Sequence, residues 1–342
     1  MTGDLDGNVD APAGSGSDGA TRPGMVDVFS DVEIETALAA NPAGYAIAEL
    51  ADSDPRILAL SADLSTPLAE FRQRHPDRYI ELGIAETNSV SVAAGLATCG
   101  FIPYIFSMAP FGVLKCAEQL RTDVAYNHLP VRLVGRLTGL AMGFFGTSHH
   151  AVEDIAVARA IANMTVLAPA DAYSALAMMR STDNLLGPVY IRISERSLNV
   201  YREEPDFYPG EWRQLRSGTD MTLIGHGMGV GLAVRAAATL AADGIDADVY
   251  DAAYLKPVDR DEVAEIIART GRVLTIEDHS EIGGLASIVA EIAGKYRVSA
   301  ALEHVSLPDW DLEVGMPAEL YEFYGLTVDG VRAAALHLAS TA

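Results

Sequence analysis

The sequence predicts an α/β fold of two doubly wound domains, each built on a mainly parallel sheet. Three observations predict it. The chain has 342 residues, enough for roughly two domains of about 150 residues. From Arg56 to Ile193, short apolar runs alternate with helical patterns, as in parallel sheets with helices on both faces. A segment rich in proline and charge, 202–217 (REEPDFYPGEWRQLRS), breaks that rhythm before it resumes. The expected partition is a tail over 1–24, a first domain over 25–205 and a second over 206–342.

Residues 1–24 carry few large apolar side chains, so ordering them would gain little and a disordered acidic tail is expected. Its acids include Asp4, Asp6, Asp10 and Asp18. The string Gly3-Asp4-Leu5-Asp6-Gly7-Asn8 looks like a metal-loop fragment. It has neither a strand before it nor a helix after it, and no metal role is assigned. Glu33 to Ala51 reads as helix, broken near Pro42 and Gly44. Strands follow at Arg56–Ala62 and Arg78–Leu82, then an alanine-rich helix at Thr87–Cys99. A strand is expected at Pro103–Phe106, a helix at Gly112–Tyr126 and a strand at Val131–Val134. Asp154–Ile161 reads as helix, Thr165–Leu167 as strand, Ala172–Thr182 as helix and Val189–Ile193 as strand. The second domain opens with strand Met221–Gly225 and helix Val230–Asp243. Strand Ala247–Asp251, helix Arg260–Thr270 and strand Arg272–Glu277 follow, and Gly283-Gly284 opens a helix to Tyr296.

Composition narrows the function classes. Hydrophobic residues make up 49% and charged residues 21%, as in an ordinary globular protein. A formal net charge of −23 argues against a nucleic-acid footprint and against an anionic membrane surface. No transmembrane run of about 18 apolar residues stands out. The N-terminus lacks the basic start and apolar core of a signal peptide. Cys99 and Cys116 form neither a CxxC pair nor a zinc-ligand spacing. The expected setting is the cytoplasm.

Four segments carry chemistry. In Glu81-Leu82-Gly83-Ile84-Ala85-Glu86, a strand ends, Gly83 permits a tight turn, and Glu86 opens a helix whose dipole favours a carboxylate. In the run from Tyr104 to Gln119, Met108 and Phe111 stand between strand end and helix start, where an aromatic can cover a flat heterocycle. Gly143 and Gly146 mark a loop holding His149 and His150, and a loop histidine titrates near neutral pH. Taken singly, a helix-start glutamate, a core phenylalanine and a surface or helix-capping histidine explain these residues better than a functional role does. Gly225-His226-Gly227-Met228-Gly229 follows a strand. Its spacing misses the dinucleotide pattern, so it reads as a tight strand-to-helix turn.

Taken together, and in order, these segments resemble the transketolase family. ALSADLST, LGIAETN, GTSHHAVEDIAVARAIANMTVLAPAD, SGTDMTLIGHGMGV, LKPVD and EDHSEIGGLAS match its successive motifs over roughly 33–330. The resemblance implies a pyrimidine-binding domain followed by the transketolase C-terminal domain. It implies thiamine diphosphate as cofactor, with Glu86 as the catalytic carboxyl that shares a proton with the pyrimidine ring nitrogen. Phe111 would stack on the pyrimidine, Met108 and Asp63 would lie beside it, and His149 would handle substrate protons. The family's G-D-G motif and downstream Asn, which hold Mg²⁺ and the diphosphate, have no match after the tail. The implied partner is an N-terminal transketolase subunit supplying them, in a heterotetramer.

Departures bear on the substrate. Family residues that read sugar phosphates would fall at Leu137 (a histidine), Phe145 (an aspartate), Asn41 (an arginine) and Pro67 (a serine). These replacements remove charge-assisted bonds. Arg192 and Arg196 remain as anion-binding candidates. The expected acceptor is therefore not a standard aldose phosphate. It is a specialised small-molecule or carrier-bound substrate: an apolar or unphosphorylated aldehyde, a lipoyl arm or a carrier-protein thiol. Three alternatives stay open: a 2-oxoacid dehydrogenase E1 β-like subunit, a non-catalytic scaffold of a partner enzyme, and a nucleotide-binding module.

Overall fold

A computed structural model describes residues 41–195 and 198–341. The expected tail, and the helix before Asn41, lie outside these residues. Among the described residues, seven strands form one sheet and five a second. In chain order the first sheet's own strands are β1 (Ile57–Ser61), β2 (Tyr79–Glu81), β3 (Ile102–Met108), β4 (Arg132–Arg136), β5 (Thr165–Leu167) and β6 (Val189–Arg192). The second unit holds β7 (Arg213–Arg216), β8 (Met221–Gly225), β9 (Ala247–Asp251), β10 (Tyr254–Lys256), β11 (Arg272–Ser280) and β12 (Ala301–Leu307). The orders are β10-β5-β6-β4-β3-β1-β2 and β12-β11-β8-β9-β7. Every pairing is parallel except β10 with β5 and β7 with β9. Strands β1, β4 and β6 are buried along their whole length, as expected when helices cover both faces of a parallel sheet.

Two features depart from the sequence reading. Strand β10 belongs to the second unit by sequence, yet it pairs with β5 at the edge of the first sheet (Tyr254↔Leu167, Lys256↔Val166). The two units thus share a sheet beyond any break at 202–217. The helix expected over Gly112–Tyr126 is wound in the wider π manner over Pro110–Leu114 and Leu120–Ala125, around a short α turn at Ala117–Gln119. Gly112 permits the close approach: an added Cβ would stand 3.2 Å from both Leu133 Cδ1 and Ser107 Cβ. Such π turns often mark functional sites. Past Tyr296, strand β12 and helices Pro317–Phe323 and Val328–Ser340 complete the second unit.

The connection between the units is tied down by two buried acids. Asp171 accepts from the backbone N–H of Val200 at 2.8 Å and of Tyr201 at 2.7 Å. The Tyr201 hydroxyl donates to Asp251 at 2.7 Å. Burial pushes the Asp251 carboxyl up to about 7, with Asp171 adding repulsion and the Tyr201 bond and Arg213 opposing it. The folded pKa lies above its ordinary value of 3.8, so this group's stability contribution is full below about pH 4 and is lost as pH rises through about 7. The expected change is on the order of 4 kcal/mol. Urea titrations across that range should show it, and Asp251→Asn should flatten the slope.

Candidate active site

The chemistry-bearing residues lie beyond the carboxyl ends of the parallel strands, where the strand order switches direction between β1 and β3. That crevice is the usual ligand position in an open parallel sheet. Asp63 follows β1, Glu86 follows β2, Met108 ends β3 with Phe111 beyond it, and Leu137 and His149 follow β4.

Glu86 is the first residue of helix Glu86–Thr98 and is 4% exposed. A carboxylate at a helix N-terminus is favoured by the dipole, and its burial needs a partner. Lys115 supplies one, with Nζ 2.7 Å from Glu86 Oε2. This hydrogen bond raises the Lys115 pKa. The neighbouring Cys116 thiol is pushed up to about 12, by burial and then by Glu86. Lys115 lies within the run YIFSMAPFGVLKCAEQ, but nothing in the sequence marked it. The π turn carries it, through Lys115 N–H to the Pro110 carbonyl.

Glu81 is a second residue missed in sequence. Its Oε1 accepts from the backbone N–H of Asp63 at 3.2 Å and of Gly83 at 2.9 Å, and Tyr79 donates to Oε2 at 2.5 Å. Burial alone would raise its pKa; these bonds outweigh burial and leave it lowered. Glu81 thereby joins the turn of Asp63 (φ 59°) to the turn of Gly83 (φ 67°) that aims Glu86. Asp63 itself is exposed.

The histidine loop and the π turn meet. The His149 ring lies 5.1 Å from Phe111 in an edge-to-face contact and 4.5 Å from Phe145 at an interplanar angle of 30°. Its Nδ1 is 2.9 Å from the Ser148 hydroxyl. His150 points elsewhere: it is buried, faces the Gly143 carbonyl at 3.5 Å, and has its pKa lowered by that burial. Met108 and Leu137 are half-buried. Met108 pairs in register with Arg136, immediately before Leu137.

The arginines require a correction. Arg192 was a candidate for binding a substrate anion, but its side chain is fully buried and committed. Nε donates to Asp154 at 2.9 Å and Nη1 to Asp278 Oδ1 at 2.6 Å. Nη2 donates to the carbonyls of Ala151 and Asp278. Burial alone would lower its pKa; the two acids overcome this and raise it. It is a tie between the units, not an anion receptor. Arg196 lies outside the described residues. Arg136, unremarked in sequence, is also engaged, by Glu195 at 2.6 and 2.8 Å and by Asn41 Oδ1 at 3.1 Å. Among the described residues, no group of three or more His, Cys, Asp or Glu side chains is placed to hold a metal ion.

A buried helix-start glutamate, an aromatic on the neighbouring π turn and a histidine loop at one sheet's switch point, followed by a second α/β unit, form the arrangement expected of the pyrimidine-binding half of a thiamine diphosphate enzyme. Comparison with known proteins gives the family. Residues 38–200 match the transketolase pyrimidine-binding domain and residues 210–331 the transketolase C-terminal domain. The chain belongs to the transketolase family, whose membership implies dependence on thiamine diphosphate. It is 36% identical over 294 residues to a transketolase C-terminal section of Methanocaldococcus jannaschii, covering 84% of this chain and 92% of that one. It is 34% identical over 292 residues to one of the subunits of the apulose-4-phosphate transketolase of Phocaeicola vulgatus, covering 84% and 93%. A solved split-gene transketolase, described as an inactive β4 tetramer, superposes with a TM-score of 0.79 at 37% identity over 87% of this chain and 97% of that one. No helix among the described residues is long and apolar enough to cross a membrane.

Proposed function

We propose that this chain is the pyrimidine-binding subunit of a split transketolase. It transfers a two-carbon ketol unit and acts in the cytoplasm as a heterotetramer with an N-terminal subunit that holds Mg²⁺ and the diphosphate. The observation that carries this reading is Glu86, buried at a helix start and paired with Lys115, which ends the π turn whose Phe111 contacts His149. This donor set fits the pyrimidine end of the cofactor. The cofactor, when bound, supplies a carbon nucleophile able to take up and release a ketol unit. Glu86 would hold a proton for the pyrimidine ring nitrogen, and Phe111, Met108 and Asp63 would hold the ring. His149 moves protons at the substrate's oxygen atoms. Relatives of similar length that are themselves a C-terminal section, or one subunit of a transketolase, support the divided enzyme.

For the acceptor, Phe145 stacked against His149 and the apolar Leu137 favour an unphosphorylated or apolar aldehyde, or a lipoyl or carrier-bound group. A charged phosphate would find no charge-assisted partner in these two side chains. A sugar-phosphate acceptor is the second reading, favoured by the relative named for apulose 4-phosphate.

Titration with thiamine diphosphate and Mg²⁺ tests the first claim. Tight binding is expected only when the N-terminal subunit is present, and tight binding by this chain alone overturns the split. In the loaded pair, near-normal turnover of ribose 5-phosphate as acceptor would decide for the second reading.

A further inference from the structure

The loop carrying Phe145 and His149 belongs to the first unit, yet the second unit holds it. Gly139 and Ala151 close its base by reciprocal backbone hydrogen bonds of 3.0 and 2.9 Å. Just inside that base, the Leu140 N–H donates to the Tyr321 hydroxyl oxygen at 3.0 Å. The same hydroxyl faces Asp278 Oδ2 at 3.5 Å, and Asp278 Oδ1 takes Arg192 at 2.6 Å. Arg192 reaches back to the Ala151 carbonyl at 3.2 Å. Farther out, the Gly315 N–H donates to the Gly143 carbonyl at 3.3 Å.

Three loop glycines are pressed against the second unit. A Cβ on Gly139 would stand 2.3 Å from Asp278 Oδ2 and 2.8 Å from the Tyr321 oxygen. One on Gly143 would stand 2.3 Å from Leu320 Cδ1 and 2.9 Å from the Gly315 carbonyl. One on Gly146 would stand 2.9 Å from Val314 Cγ2. Tyr321 is 2% exposed and Asp278 fully buried, and both belong to the second unit, behind the loop.

We propose that Tyr321, with Asp278, is a positioning residue: it sets where the loop presents His149 and Phe145, so the second unit helps shape the reaction site from behind. This rests on the proposed role of His149. The hydroxyl accepts from the loop backbone and donates toward a carboxylate fixed by Arg192. That arrangement holds one end of the loop against a rigid part of the other unit. Small displacements of a group that must meet a reacting atom are costly in rate.

Tyr321→Phe tests this, because it keeps the ring and removes only the hydroxyl. Two readouts are needed. The first is amide hydrogen exchange on the full chain. Exchange should accelerate across 139–151 while helix Glu86–Thr98 keeps its wild-type rate; unchanged exchange across 139–151 overturns the proposal. The second is a double-mutant cycle in the loaded pair, with hydroxypyruvate as donor and glycolaldehyde as acceptor. Alone, Tyr321→Phe should lower kcat roughly ten- to a hundredfold with thiamine diphosphate binding unaltered. In a His149→Ala background it should have little further effect, since its influence runs through that histidine. Losses that simply multiply would point to a general structural role and overturn it. If His149→Ala retains wild-type turnover, the assigned role of His149 fails instead, and the exchange measurement still decides whether Tyr321 holds the loop.

Discussion

Glu86→Gln is expected to lower turnover of the loaded two-subunit enzyme by roughly 10²- to 10⁴-fold, the range for losing a positioned acid–base group. The substitution preserves shape. The glutamine carbonyl can still accept from Lys115, whose ammonium stands 2.7 Å from the carboxylate in the native chain. The thermal midpoint should therefore change little, and the loss should appear in kcat rather than in the fold. Glutamine cannot share a proton with a ring nitrogen as a carboxyl does, so the substitution removes that function while leaving the contact set in place. Steady-state assays beside a melting curve separate the two effects. Turnover within about threefold of wild type, well short of a general acid–base loss, would move the scaffold reading ahead of the catalytic one.

How much of this was legible beforehand depended on the range over which each signal is written. Buried parallel strands are mostly apolar, so β1 and β8 announced themselves locally, while β4 and β6 were legible from their apolar stretches despite the buried arginines Arg132, Arg136 and Arg192 that they carry. Glu86, Phe111 and His149 were singled out because their segments resemble the transketolase family's motifs in order; taken one at a time, a strand end, a glycine and a helix start did not set them apart from ordinary structural residues. Strand β10 has only three residues, and its partner β5 lies far back in the chain; no local pattern distinguishes it from a loop. Lys115 was hidden because its approach to Glu86 arises from π turns that ordinary helical spacing does not anticipate. Glu81 reads as the polar end of a strand until both turns it joins are seen together. Tyr321 sits 181 residues from Leu140, and nothing near either one points to the other. Arg192 was misread for the same reason. A cation at a strand end looks free for a ligand until the acids 38 and 86 residues away are folded against it.

Those two acids make Arg192 the position where substitution should harm stability most. Asp154, Arg192 and Asp278 are fully buried, and Tyr190 donates to Asp154 Oδ2 at 2.5 Å. Arg192→Met fills similar volume but leaves two carboxylates without their cation. Removing one partner of a buried pair costs about 3–5 kcal/mol, and here one cation serves two anions across the two units. Urea denaturation should show a loss at or above the upper end of that range. Arg192→Lys keeps the charge but not the planar fork that reaches both acids and two carbonyls, so it should recover only part. The decisive variant combines Arg192→Met with Asp154→Asn and Asp278→Asn. If the native ions themselves contributed the stability, neutralising all three would leave the deficit unchanged. If the deficit comes from stranding anions in a dry interior, the triple variant should regain much of it. The second result is expected, because the desolvation that opposes the Arg192 charge vanishes together with the charges. Asp278 would then be retained for its place behind the His149 loop rather than for the strength of its ion pair.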